Sequence, residues 1–292
     1  MERLNEKVTD VEAVIHKYMP KPEGYAKTVL AAMNYTMDAG GKRLRPLLMQ
    51  EVYKMFGGNG EEIEPFMAAI EMIHTYSLVH DDLPALDNDD YRRGRKTAHI
   101  VYGESMAILA GDALLNYAYE TAAKAFDLTE DLKKATEAYK VLTRKPGIYG
   151  MVGGQTADVE LTGKALTNDE LEYIYENKTG ALIEASMMIG AIMGGAADAE
   201  VAKIERLAGL VGKAFQIQDD ILDIEGNEAE LGKPLHSDEE NGKVTYVTLH
   251  GLLQAKEDAK VLSEEAVAIL DAFPQQNTFL HELILSLVNR RK

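Results

Sequence analysis

The chain has 292 residues, no cysteine, 48 acidic against 31 basic residues and a formal charge of -17. So acidic a surface argues against nucleic acid as a partner, because phosphate backbones are bound by basic surface, and it disfavours an anionic lipid surface on the same ground. Without cysteine there is no disulfide framework, thiolate nucleophile or zinc-thiolate site, which fits a cytoplasmic protein.

The start, Met1-Glu2-Arg3-Leu4-Asn5-Glu6-Lys7, is too charged for a signal peptide, and no apolar run is long enough to span a bilayer, so no stable membrane insertion is expected. Apolar residues recur at helical spacing, as in Ala68, Ile70, Met72, Ile73, Tyr76 and Val79, whereas sustained alternation of strand type is hard to find. The pattern predicts an all-α fold, read as a single domain over residues 1–292. Pro20 and Pro22 separate a first helix from a second, Gly40-Gly41 ends the second, and Gly57-Gly58-Asn59-Gly60 parts the third from the fourth. Further breaks fall at Asp127-Leu128-Thr129, at Pro146-Gly147, at Thr162-Gly163-Lys164 and around 226–241, which gives ten or more helices. The run from Ala185 to Ala197, with Met187, Met188, Ile189, Ile192 and Met193, reads as a helix buried in a core.

Candidate functional residues appear in the same order. Lys42, Arg43 and Arg45 follow Gly40-Gly41, and Arg92-Arg93-Gly94-Arg95-Lys96 forms a second basic knot. In a chain this acidic both are candidate anion clamps, since Arg forks match phosphate oxygens and Lys offers a point charge; ordinary ion pairing is the alternative for any one of them. His74 could donate to a phosphate, or be a satisfied buried histidine.

Between the knots lies Asp81-Asp82-Leu83-Pro84-Ala85-Leu86-Asp87. Asp81 and Asp87 are six residues apart and would occupy different faces of a regular helix, but Pro84 breaks the helix and lets Asp87 swing back. An ordinary acidic turn through Asp90 is the alternative. Far along the chain, Asp219 and Asp223 share a helical face with Asp220 nearby, among Phe215, Ile217, Ile221, Leu222 and Ile224. Such crowded carboxylates call for a cation, unless this is a solvated acidic helix end. Hard oxygen ligands point to Mg2+, which takes one or two carboxylates per ion plus water and phosphate oxygens. Each cluster lies near the C-terminal end of a long apolar helix, a loose internal echo, and bundle metal sites are built where such ends face a cavity.

Gly40-Gly41-Lys42-Arg43-Leu44-Arg45-Pro46, His80-Asp81-Asp82 through Asp87, Arg92-Arg93-Gly94 and Gly111-Asp112-Ala113-Leu114-Leu115 resemble motifs of the trans-prenyl diphosphate synthase family. So, in the same order, do Gly154-Gln155-Thr156-Ala157-Asp158, Lys178-Thr179-Gly180, Phe215-Gln216-Ile217-Gln218-Asp219-Asp220 and Leu231-Gly232-Lys233-Pro234. The resemblance covers nearly the whole chain. It implies a large helical bundle of the isoprenoid (terpenoid) synthase type with a central cavity, acting as a homodimer on isopentenyl diphosphate and an allylic diphosphate.

It implies further that Mg2+, as three ions with Mn2+ as a substitute, is held by Asp81, Asp87 and Asp219, with Asp82, Asp220 and Asp223 supporting that shell directly or through water. Arg92, Lys178 and Lys233 would clamp the allylic diphosphate, Thr179 and Gln216 would face its reacting end, and Lys42, Arg45, His74 and Arg93 would hold isopentenyl diphosphate. Tyr76 and Ser77, five and four positions before Asp81, correspond to the place where the family limits product length. An aromatic there, with the lengthened first motif, resembles members that stop at farnesyl rather than geranylgeranyl diphosphate. One departure is His236, where the family usually has a second glycine after Gly232-Lys233; if that position needs positive φ, histidine is a costlier occupant.

Three rival readings remain at this stage. A metal phosphohydrolase built on His80-Asp81 and His74 would need imidazole ligands that the surroundings of Asp219 do not supply. A terpene cyclase would normally mix Asn, Ser or Thr into its second metal motif. A non-catalytic subunit of the same fold would commonly have lost one aspartate cluster.

Overall fold

The computed structural model of this chain describes residues 2–226 and 243–288. Lys233 and His236 therefore lie outside the described residues. The chain forms two compact units, Met1–Gln50 with Asn59–Tyr139, and Glu51–Gly58 with Lys140–Lys292.

The first unit contains α1 (Glu2–Tyr18), α2 (Lys27–Met37), the start of α3 (Leu44–Met55), a 3-10 turn (Glu61–Ile63), α4 (Glu64–Asp81), a ribbon of β1 (Tyr91–Arg92) and β2 (Arg95–Lys96), α5 (Ala98–Tyr102), α6 (Glu104–Ala123), α7 (Ala125–Leu128) and most of α8 (Leu132–Arg144). The second contains α9 (Met151–Leu161), α10 (Asn168–Ile174), a π-helical turn (Tyr175–Gly180), α11 (Ala181–Gly194), α12 (Asp198–Glu225), α13 (Tyr246–His250), α14 (Leu252–Asp271) and α15 (Thr278–Val288).

α4 is the axis of the first unit. Pro65 sits in its first turn, where a missing N–H breaks no helical bond, and Phe66, Met67, Ile70, Met72 and Ile73 are fully buried. It packs chiefly on α6, whose buried Ala107, Ala110, Gly111 and Ala118 are small enough to let the two helices approach. α4 stops at Asp81, ahead of Pro84, because the residue before proline is pushed away from helical geometry.

The second unit repeats this plan on α12, which carries Asp219 to Asp223 at its C-terminal end and packs chiefly on α14. In each unit the aspartate-bearing helix is followed, after an intervening segment, by a threonine, a five-residue helix and a glycine that opens a long helix. Thr97, α5 and Gly103 at φ 83°, ψ 155° precede α6; Thr245, α13 and Gly251 at φ 82°, ψ 152° precede α14. The echo of the two clusters thus extends to the helices that brace them.

Most predicted breaks fall where expected. Pro20 and Pro22 lie between α1 and α2, Gly57 to Gly60 between α3 and α4, and Gly163 follows α9. At the break predicted over 127–129, Asp127 and Leu128 are still helical and the chain opens only at Thr129, which takes an extended conformation. The apolar run forms α11 and ends one turn earlier than its composition, because Gly195 adopts φ 94° and caps the helix. Among the described residues the fold is all-α apart from the short ribbon. Among the described residues no helix is long and apolar enough to cross a membrane.

Candidate active site

In the first unit, two of the three cations after Gly40-Gly41 have different surroundings. Arg43 is 3% exposed, at φ 47°, and donates to Glu71 at 2.9 Å, to the Met37 carbonyl at 2.5 Å and to Glu12 at 3.4 Å. Those bonds commit it to the core. Arg45 is turned to another use: burial lowers its pKa to about 10, and its buried Nε has no hydrogen-bond partner among the described residues. An orphaned guanidinium donor is costly unless an anion meets it.

His74 on α4 is held well below the ordinary histidine value, first by burial and then by Arg45 and Arg93, so the three groups share one neighbourhood. Arg93, at φ 53°, donates to the Gly40 carbonyl. A side chain on Gly41 would run into the Arg93 guanidinium, which accounts for glycine there beyond its own positive φ. Lys42 is exposed beside them. An open cleft of about 400 Å³ adjoins this cluster, lined by Tyr35, Thr75, Asp82, Arg92, Arg93 and Arg95 among others.

At the end of α4 the six-residue offset between Asp81 and Asp87 is folded away. The Asp87 N–H donates to the Asp81 carbonyl at 2.9 Å, and Asp89 N–H to the Asp82 carbonyl at 3.2 Å, so the segment doubles back after Pro84. Asp82 is 5% exposed, and burial raises its pKa to about 6 against the opposing pull of Arg92, whose Nε lies 2.6 Å from its carboxylate. Arg92 also reaches Asp89 at 3.5 Å. Arg92 is thus already an anion-binding group, with a protein carboxylate as its present partner.

Tyr76 is 7% exposed and burial raises its hydroxyl to about 12, with Tyr119 and Asp81 adding to the shift. Its ring meets His80 edge-to-face, with centroids 5.8 Å apart. His80 Nε2 is 3.1 Å from the Ile108 carbonyl, and any side chain on Gly111 would overlap the imidazole. That contact explains the glycine opening the Gly111-Asp112-Ala113-Leu114-Leu115 motif. Ser77, beside Tyr76, turns its hydroxyl back to the His74 carbonyl at 2.9 Å.

In the second unit, the π-helical turn carries Lys178 and Thr179 at its end. Gly154 of α9 and Gly212 of α12 make room for it: a side chain at the first would collide with the Lys178 backbone, and at the second with Gly180. Lys178 Nζ lies 2.5 Å from Asp158, and Thr179 donates to Gln216 at 2.9 Å. An open cleft of about 490 Å³ is lined by these residues with Tyr175, Asp220, Lys243 and Thr245. Asp220 and Asp223 are 2% and 3% exposed, while Asp219 is half-buried. The Asp220 carboxylate accepts from the Tyr175 hydroxyl and from the Tyr246 N–H at 2.8 Å.

The donor set suits a hard divalent cation, being carboxylate oxygen with Asp87 folded back on Asp81. Among the described residues no three carboxylate or imidazole groups converge to hold a metal alone.

Among the residues of these clefts, sequence reasoning misses the pairing of Asp158 with Lys178 and the lining positions of Tyr35, Thr75, Tyr175, Lys243 and Thr245. The spacing of Gln155 and Asp158 flags the first only weakly. Lys243 and Tyr175 sit in segments whose composition gives no such signal.

A polyprenyl synthetase family model matches residues 26–275. The chain belongs to that family. It is 47% identical over 254 residues to a farnesyl diphosphate synthase of Geobacillus stearothermophilus, covering 87% of this chain and 85% of that one. It is 41% identical over 292 residues to a geranylgeranyl diphosphate synthase of Cyanophora paradoxa, covering 98% and 95%. Among solved structures, a geranyltransferase from Helicobacter pylori complexed with magnesium and isoprenyl diphosphate aligns with a TM-score of 0.85 at 32% identity over 99% of this chain and 96% of that one. Membership of the family makes the chain a prenyltransferase, which removes the phosphohydrolase and non-catalytic readings.

Proposed function

We propose that the chain condenses isopentenyl diphosphate head-to-tail with dimethylallyl and then geranyl diphosphate, giving trans,trans-farnesyl diphosphate for isoprenoid biosynthesis. The observation that carries the choice of product is Tyr76: a nearly buried aromatic, braced by His80, five residues before Asp81. A ring held this firmly is a steric floor for a growing apolar chain, and pocket size is the available means of discriminating chain length.

In this reading Asp81, Asp87 and Asp219 hold Mg2+, three ions in all with Mn2+ able to substitute, and Asp82, Asp220 and Asp223 support them. When bound, the metal supplies Lewis-acid neutralisation of the charge that grows on the departing diphosphate. Arg92, Lys178 and Lys233 bind the allylic diphosphate, while Thr179 and Gln216, already hydrogen-bonded to each other, fix the reacting end. Lys42, Arg45, His74 and Arg93 bind the diphosphate of isopentenyl diphosphate, for which the unpartnered Arg45 Nε is a ready donor. The allylic cation is attacked by the isopentenyl double bond, and the departing diphosphate takes the proton that is lost, so the chain supplies no general base.

We treat residues 1–292 as one catalytic domain, a reading supported by the family match running through both units. We also propose a homodimer in the cytoplasm, in keeping with the exposed Ile100, Val101, Ile108 and Leu109 on α5 and α6. Light scattering on the purified protein tests the dimer.

The activity test is incubation with isopentenyl diphosphate, either allylic starter and Mg2+, with products sized by chromatography. Farnesyl diphosphate is expected as the main product. Geranylgeranyl diphosphate in its place would reassign the product, and phosphate release without carbon-carbon bond formation would overturn prenyl transfer.

A further inference from the structure

The second acidic cluster contains a carboxylate whose oxygens already serve the protein. Asp220 is 2% exposed. Its Oδ2 accepts from the Tyr175 hydroxyl and from the Tyr246 N–H at 2.8 Å, and its Oδ1 accepts from Gln216 Nε2 at 3.4 Å. The Tyr246 N–H lies 3.0 Å from the Tyr175 oxygen as well, so phenol, amide and carboxylate close a triangle.

Each corner belongs to a different piece of chain. Tyr175 is the first residue of the π-helical turn, Asp220 lies on α12, and Tyr246 is the first residue of α13. The turn carries Lys178 and Thr179; the strand of chain leading into α13 carries Lys243 and Thr245, which line the same cleft. Tyr246 is anchored at its other end, its hydroxyl donating to Asp258 at 2.9 Å and its ring stacking on His250 with centroids 4.3 Å apart. A metal drawn onto Asp220 Oδ2 would have to displace two buried donors, each left unsatisfied at a cost, and one drawn onto Oδ1 would have to compete with Gln216.

We propose that Tyr175 and Asp220 form a positioning pair that fixes the π-helical turn and α13 onto α12, so that Asp220 serves the reaction by placing Lys178, Thr179 and Lys243 and not by ligating metal. The inference rests on the proposed prenyl transfer for its consequence in turnover, but the pair itself is a property of the metal-free protein. Asp219, one residue away and half-buried, keeps the metal role.

The test compares Tyr175→Phe, Asp220→Asn and Asp219→Asn. Thermal melting and amide hydrogen exchange are followed in EDTA, and activity is titrated with Mg2+ and with allylic diphosphate. Tyr175→Phe and Asp220→Asn are expected to lower the metal-free melting temperature by several degrees, to speed exchange in residues 175–180 and 243–250, and to raise KM for the allylic diphosphate several-fold. Their half-saturating Mg2+ concentration is expected to stay near that of the parent, whereas Asp219→Asn should raise it steeply with no effect on melting in EDTA. The proposal is overturned if Asp220→Asn follows Asp219→Asn in the Mg2+ titration with unchanged melting, or if Tyr175→Phe matches the parent in exchange and KM. Because exchange and melting in EDTA need no substrate, an inactive parent would sink the functional reading while leaving the pair testable.

Discussion

The hydroxyl of Tyr35 donates to the Lys96 carbonyl at 2.7 Å, tying the β-ribbon to α2. The same ring carries the Arg95 guanidinium 4.4 Å above its centroid and meets Tyr102 edge-to-face at 5.6 Å. Arg92 and Arg93 lie on or beside that ribbon, so Tyr35 controls where two proposed diphosphate ligands stand. Tyr35→Phe keeps the ring contacts and removes one hydrogen bond, a loss of about 1 kcal/mol in stability. Steady-state kinetics should show KM for isopentenyl diphosphate rising several-fold with kcat changed less; an unchanged KM would mean that the ribbon is held by other contacts.

Asp81→Ala and Asp219→Ala should each reduce turnover by about two orders of magnitude or more, since the cation these carboxylates are proposed to hold would neutralise charge that grows mainly in the transition state. Asp81 is the last residue of α4, Asp219 lies in the last two turns of α12, and both are half-buried, so far-UV circular dichroism should be unchanged. Near-normal rates in either variant would remove that residue from metal binding.

Tyr76→Ala should lengthen the product, because it removes the ring proposed as the floor. The truncation of so buried an aromatic costs about 3–5 kcal/mol, so the assay belongs at low temperature. Chromatography giving the parent's product distribution would take the chain-length role away from Tyr76.

Gly111→Ala probes the same floor indirectly. The new methyl would push the His80 imidazole away from the Ile108 carbonyl and from the Tyr76 ring. A stability loss of about 1–3 kcal/mol is expected in denaturant titration, together with a broadened product range. Products as sharp as the parent's would show that Tyr76 stands without His80.

His74 makes stability depend on pH in a known direction. Its value in the folded protein lies well below the ordinary 6.5, so just below that pH the unfolded chain binds a proton that the folded one does not. Its contribution is present above pH 6.5 and is lost as the pH falls. Between about pH 7.5 and 5.5 the loss approaches about 1 kcal/mol, and His74→Gln should remove that part of the slope in urea titrations at the two pH values. An identical slope in the variant would contradict the burial of a neutral imidazole.

What could be read from the sequence follows from what is local. Proline and glycine mark Pro20, Pro22 and Gly57 because their backbone limits act on adjacent residues, and the doubling back to Asp87 follows from Pro84. The different surroundings of Arg43 and Arg45 could not be read, since both are arginines in one short segment and only the positions of Glu71 and Glu12 decide which is paired. The π-helical turn was equally silent: its register depends on Gly154 and Gly212, which lie in other helices, to admit its backbone. Nor does any spacing announce that Asp220 will meet Tyr175 and Tyr246, residues 45 and 26 positions away.

Arg93 sits at φ 53°, a conformation that glycine adopts without cost and arginine does not. Replacing it by glycine should relax the backbone and, by the same stroke, delete a proposed substrate cation. Residue 93 is therefore a place where screening for a tougher protein and screening for a faster one would choose opposite variants, and thermostabilised libraries of this chain should be checked there first for lost activity.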